Sequence, residues 1–367
     1  MAWTVVLSHV LHLSGYDDAM PLLWLKVLLN GTAAVNVFIV VSGFVITHLL
    51  LVRNERYGPY LVRRALRIIP IYYVCLLSAL ILLPAQVEFH THEWIGDHAT
   101  WAHRFDAFEP RLRDHLLWHA TLLHGIVPDS ILPQSAWSIL GPAWSLSLEW
   151  QFYLVAPALV WLLRINRLVE ALVVILLLAL HAWLHRQTGL IWEWPSFLPL
   201  SIHFFLLGIL CRLHLPALLK LRPWAVPVAG LTASAIFRSR SYELLVWTFF
   251  LTAVLLEAGV SGSRSLLKQR VAGAATIITQ NRLAVLLGRS SYSTYLVHIP
   301  FLSGLTWIGE HGFGLHSRGA ITLIVLPGLP LLALLSVALY RFVEAPCIRL
   351  GARIVAARPI VPTQASA

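Results

Sequence analysis

Trp144-Ser145-Leu146-Ser147-Leu148-Glu149-Trp150-Gln151-Phe152-Tyr153-Leu154 is the stretch whose reading decides the fold. It sets a carboxylate, hydroxyls and a phenol inside an apolar run that continues to Leu163. At the centre of a membrane helix a carboxylate costs about 2.5 to 3.5 kcal/mol on insertion scales. A chain keeps such a group when it is paired within a bundle or used in chemistry. Helical spacing puts Ser145, Glu149 and Tyr153 four residues apart on one face, which predicts the wall of a polar pocket. The competing reading is a structural carboxylate pinned by Ser, Trp or Arg from other helices. Pro142 and Pro157 flank the face. Pro157 breaks the helical ladder, as at pockets built from bent membrane helices.

The rest of the chain has the same character. Its 367 residues are 58% hydrophobic and only 12% charged, with a mean hydropathy of +0.74. No soluble single-core domain needs that much apolar surface. Apolar runs of about 16 to 22 residues recur, close to the length that spans a bilayer as a helix. They predict an all-α polytopic membrane bundle of about ten transmembrane helices. The crossings fall at 1–16, 31–52, 68–84, 144–163, 168–185, 197–211, 223–238, 242–258, 283–308 and 319–340. Between the third and fourth lies 85–143, richer in His, Asp, Glu and Pro; within it His115 to Val127 predicts a re-entrant or interfacial helix that does not cross. Residues 1–353 form one integral-membrane domain and 354–367 a short cytoplasmic tail.

A net charge of +10 would point to nucleic acid in a soluble protein. Here the basic residues sit between apolar runs and set topology instead. With the N-terminus in the cytoplasm, 19 of the 27 Lys and Arg face inward and 8 outward. The expectation is a multi-pass protein of the plasma or inner membrane, both termini cytoplasmic, in contact with lipid and not nucleic acid. Cys75, Cys211 and Cys347 are too scattered for a disulfide framework or a metal set.

Three further groups of residues carry chemistry. His9 lies in the first helix, with His12 three residues on. It is either a buried histidine bonded to a neighbouring helix or a general base, imidazole being the side chain that titrates nearest neutrality. Arg63, Arg64 and Arg67, followed by Pro70, stand at a cytoplasmic helix end. They anchor topology, and guanidinium groups also clamp phosphate. Late in the chain, Ser291, Tyr295 and His298 share one helical face; most such groups bond between helices, and His298 is the one to test for substrate contact. Histidines 90, 92, 98, 103, 115, 119 and 124 crowd the outer segment. His115 and His119 have helical ligand spacing, yet no carboxylate or cysteine completes a site, so no metal is expected.

In order, these runs resemble the acyltransferase-3 family of integral-membrane O-acyltransferases, which modify glycans and related hydroxylated acceptors. Val5-Val6-Leu7-Ser8-His9 is similar to the first-helix histidine motif, and Phe38-Ile39-Val40-Val41-Ser42-Gly43-Phe44 to the second-helix run. Arg64-x-x-Arg67 with Pro70, Trp144-Ser145-Leu146-x-x-Glu149, Ser291-Tyr292-Ser293-x-Tyr295-Leu296-x-His298-x-Pro300 and Phe342-Val343-Glu344-x-Pro346 resemble the others. Together they span positions 5 to 346. Asn36 stands where the family commonly has Asp. The family's first-helix Arg, eleven residues before the histidine, would precede Met1. The expectation is therefore a start placed too late, with an upstream in-frame stretch carrying that Arg.

The resemblance implies transfer of an acyl group, acetyl by expectation, from cytosolic acyl-CoA (acetyl-CoA) to a hydroxyl. The acceptor would be a glycan, a lipid-linked sugar or a glycosylated small molecule, and no cofactor is tightly bound. His9 and Glu149 are the catalytic candidates, Glu149 orienting His9 or offsetting its imidazolium. Arg64 and Arg67 would bind the donor, and Ser145, Tyr153, Tyr295, His298 and Asn36 the substrate. Two other classes compete: a transporter or flippase for a lipid-linked sugar, and a membrane b-type cytochrome ligated by His9, His48 or His298.

Overall fold

The computed structural model describes residues 1–15, 29–53, 55–95, 97–186, 189–221, 225–236, 242–260 and 281–356. Its regular elements are all helical, with no strand among the described residues. In chain order they are α1 (Ala2–Leu13), α2 (Gly31–Arg53), α3 (Tyr57–Ile81), α4 (Leu83–His90), α5 (His98–Phe108), α6 (Leu112–Thr121), α7 (Ala143–Leu162) and α8 (Arg167–Leu184). Then follow α9 (Leu198–Leu213), α10 (Ala225–Ile236), α11 (Tyr242–Val260), α12 (Arg282–Arg289), α13 (Ser291–Phe313), α14 (Arg318–Leu339) and α15 (Ala345–Ala356). A π-helical turn, Tyr340–Glu344, joins the last two.

Four of these runs are long and apolar enough to cross a membrane: α2, α3, α8 and the 39-residue run Arg318–Ala356. Helices α1 and α9 are apolar but shorter. Of the ten expected crossings, those at 31–52, 68–84, 168–185 and 319–340 thus fall on the four long runs. The run at 283–308 divides at Ser290 into α12 and α13. The helix that carries the third crossing starts at Tyr57, eleven residues before the expected crossing at 68–84, so Arg63, Arg64 and Arg67 lie within its N-terminal half. Most of the tail at 354–367 falls outside the described residues.

Burial separates the helices by role. On α8, Leu172, Ile175 and Leu176 are exposed, as a face turned to lipid requires. On α7, the whole run from Ala143 to Glu149 is buried, so the helix with the costliest polar groups sits inside the bundle. It continues through Pro157 without ending. The Tyr57 hydroxyl donates to the Leu154 carbonyl at 3.1 Å, one residue beyond the Tyr153 carbonyl that Pro157 leaves without its helical donor. Helices α2 and α9 pack closest through two glycines. A Cβ on Gly208 would lie 2.0 Å from the Val40 carbonyl oxygen, and one on Gly43 2.5 Å from that of Phe205. Small residues at such crossings let the two backbones touch.

Helix α6 is ten residues long and stops where Leu122 takes a left-handed conformation (φ 58°), too short to span. Its polarity is inverted. His115 and His119 are fully buried while Leu117 and Trp118 face outward. His115 shares a 2.9 Å hydrogen bond with Ser138, and His119 stacks on His124 at 4.0 Å. Burial pushes His115 down to about 4, His119 to about 3 and His124 well below its ordinary value. All three stay neutral in the fold, whereas an unfolded chain protonates them near 6.5. Their contribution is complete above that pH and is lost as pH falls toward the folded values. The expected result is a Tm in detergent that drops as pH falls from 6.5 toward about 4, and a flatter profile in His119→Asn.

Candidate active site

Three cavities lie along the bundle and share walls. The first, of about 440 Å³, is lined by Arg53, Arg63, Arg64 and Arg67 together with Ser42, Glu149, Tyr153 and Phe38. Arg63 is occupied by an ion pair with Glu55, which leaves Arg53, Arg64 and Arg67 on the cavity wall. The Arg64 guanidinium stands 5.8 Å from the centre of the Tyr153 ring. Glu149 accepts hydrogen bonds from Ser42 Oγ at 3.2 Å and from the Tyr153 hydroxyl. Arg67 acts electrostatically on both Glu149 and Glu344. Glu344, buried in the π turn, accepts from Ser293 Oγ at 3.0 Å. Arg67 thus lies within electrostatic reach of two buried carboxylates.

The second cavity, of about 280 Å³, is mostly apolar, with Val5, Ala34, Val35, Phe38 and Leu146 on its wall beside Tyr292 and Tyr295. Phe38 belongs to both the first and second cavities. Val5, Val35 and Tyr295 belong to both the second and third. At that second boundary the Ser145 and Tyr295 hydroxyls are hydrogen-bonded at 2.8 Å.

The third cavity, of about 240 Å³, holds His9, Ser8, His12 and His90 with Trp101, Trp137, Trp144 and Trp194. Its wall comes from α1, α2, α7 and α13, from the 85–143 segment and from the segment before α9. His298 lies behind His9, with ring centroids 5.1 Å apart. His298 Nδ1 sits 2.7 Å from the Tyr295 carbonyl oxygen. A carbonyl only accepts, so Nδ1 carries the proton and Nε2 the lone pair. That Nε2 is buried with no hydrogen-bond partner.

The sequence-predicted residues thus divide. His9, His298, Tyr295 and Ser145 come together around the third cavity and its boundary. Arg64, Arg67, Glu149 and Tyr153 come together around the first. Glu149 and His9 line different cavities that have no lining residue in common, so the partner against His9 is His298. Asn36 bonds away from all three cavities: its amide donates to Glu243 Oε1 of α11 at 2.8 Å. His9 and His298 are too close together for a porphyrin between them, and His48 accepts from Arg212 at 3.0 Å, an arrangement unlike paired haem ligation.

Sequence reasoning passed over Ser42, Glu344 and the four tryptophans as site residues. Ser42 and Glu344 stand in quoted motifs, and the π turn at Glu344 is the local irregularity that often accompanies function. No signal in the sequence gathers Trp101, Trp137, Trp144 and Trp194. Among the described residues, no group of three or more His, Cys, Asp or Glu is placed to hold a metal ion.

Comparison with known families adds one finding. A family model described as an acyltransferase domain, that of the acyltransferase-3 family, matches residues 2–341. No curated protein and no solved structure matches the chain.

Proposed function

The chain belongs to the acyltransferase-3 family and is an acyltransferase with membrane-spanning helices; from that premise we propose that it moves an acetyl group from cytosolic acetyl-CoA to a hydroxyl of a carbohydrate or glycosylated acceptor. The observation that carries this reading is the series of three cavities, arginines at one end and His9 at the other. Arg64 and Arg67 hold the phosphates of the donor by charge-assisted bonds. The pantetheine arm passes Phe38 into the apolar middle cavity, and the thioester comes to rest by Tyr295. The acceptor enters beside His9. As its oxygen attacks the thioester carbon, His9 takes the hydroxyl proton. The C–S bond breaks, and the departing sulfur receives that proton as free coenzyme A thiol. The Tyr295 hydroxyl, supported by Ser145, is the donor nearest the carbonyl oxygen on which negative charge develops.

His298 has a defined part. Its Nε2 lone pair accepts the N–H of His9 after a small ring rotation, leaving the other His9 nitrogen free for the acceptor proton. Glu149 keeps the arginine end electrically balanced and holds Tyr153 under Arg64.

Release of coenzyme A thiol by purified protein, dependent on both acetyl-CoA and a hydroxylated acceptor, tests the reading. Absence of acceptor-dependent release removes it and leaves a transport role. The donor assignment has its own test. Arg64→Gln with Arg67→Gln is expected to raise KM for acetyl-CoA at least about tenfold, as loss of two phosphate contacts does. An unchanged KM would free both arginines from that role.

A further inference from the structure

The cavity around His9 is more aromatic than proton abstraction requires. Two indole pairs face it: Trp101 and Trp137, with centroids 4.3 Å apart, and Trp144 and Trp194, 6.0 Å apart. They come from α5, the turn before α7, α7 itself and the segment before α9, so four separate stretches of chain converge to build one wall. Trp101 is 7% exposed, and the indole N–H groups of Trp101 and Trp194 are buried without a partner. Indole N–H only donates, and a buried one normally finds an acceptor. His90 offers the complement. Its Nδ1 donates to the Gln86 carbonyl at 2.8 Å, which leaves the lone pair on Nε2. Among the described residues, no Asp, Glu, Lys or Arg lines this cavity.

We propose that this cavity is an acceptor subsite for one neutral sugar ring, a terminal unit and not one inside a chain; the inference rests on the acyl-transfer reading above. Three observations select that ligand. Sugar rings have C–H faces that lie against indoles and hydroxyl edges that need donors and acceptors, and both are present here. An aliphatic alcohol would leave the Trp101 and Trp194 N–H groups unsatisfied. A uronic or sialic acid would bring a carboxylate to a wall with no Lys or Arg among the described residues. The volume of about 240 Å³ falls below the roughly 300–1,000 Å³ of sites for drug-sized ligands. One ring fills it, and any further linked rings would lie outside it.

The test uses the full-length protein in detergent with acetyl-CoA and four acceptors: a neutral methyl pyranoside, the methyl glycoside of the corresponding uronic acid, a linear oligosaccharide of the neutral sugar, and glycerol. Transfer to the pyranoside is expected at higher kcat/KM than to the uronide or glycerol, and fragment-ion mass spectrometry should place acetyl on the terminal ring of the oligosaccharide. Trp101→Phe removes the N–H and keeps a ring; Trp137→Ala removes a stacking face, with Trp137→Phe as the milder form. Each is expected to lower the pyranoside-to-glycerol selectivity about tenfold or less, the scale of one aromatic contact or hydrogen bond. Equal turnover of all acceptors, acetyl on internal rings, or selectivity unchanged in all three variants overturns the subsite while the acyltransferase reading stands. No thioester consumption with any acceptor overturns both.

Discussion

His9→Ala is expected to lower kcat for acyl transfer by about 10² to 10⁴-fold, the range of a lost general base, with the protein still folded. The side chain is half-buried at a cavity wall and meets the His298 ring, so truncation enlarges an existing space and opens no new one in the packed core. Acceptor-dependent release of coenzyme A thiol measures the loss, and the thermal midpoint in detergent serves as the folding control. Free imidazole should restore part of the rate, since the vacated volume adjoins a cavity. His298→Asn gives the companion result: a smaller fall in kcat, together with a displaced pH–rate profile, because the base remains but loses the acceptor that orients it. Activity in His9→Ala within a few fold of the parent would remove the base assignment.

Gly208→Leu is expected to leave almost no folded protein in the membrane. Any Cβ here would lie 2.0 Å from the Val40 carbonyl oxygen and 2.7 Å from the Phe44 backbone nitrogen. Overpacking a core costs typically about 1–3 kcal/mol when side chains can yield; here the obstacle is backbone, so the helices must part. Helix α2 carries Ser42 and Phe38, so the damage reaches the Glu149 hydrogen bond and the boundary between two cavities. The check is the yield of monodisperse protein and its midpoint, with Gly319→Ala as the control, where an added Cβ meets nothing within 4 Å. A normal yield of Gly208→Leu would mean that α2 and α9 are not pressed together as described.

What the sequence revealed depended on distance along the chain. Of the expected face, the Glu149–Tyr153 part was legible because helical periodicity fixes it locally: the Tyr153 hydroxyl bonds to Glu149 one turn away, while Ser145 turns to Tyr295 instead. The pairing of His9 was not. His9 and His298 stand on α1 and α13, and no periodicity within either says that their rings meet. The choice of Glu149 as partner for His9 followed from the high cost of a carboxylate in lipid. The structure meets that cost locally, through Ser42, Tyr153 and Arg67. The Arg cluster was legible as a helix end because it directly precedes an apolar run. That it forms a helical wall facing a cavity was not, since hydropathy does not report which way an arginine turns. The four tryptophans around His9 were not legible, since composition cannot tell an indole facing headgroups from one facing inward.

The Phe38 ring is common to the arginine cavity and the apolar one, and on the proposed function it would be a turnstile between two doors. Donor and acceptor would then arrive from opposite sides and never queue for one entrance. Spent thiol and finished ester would leave the same way, each by its own side. A bystander that blocks one door slows its own traveller while the other still docks.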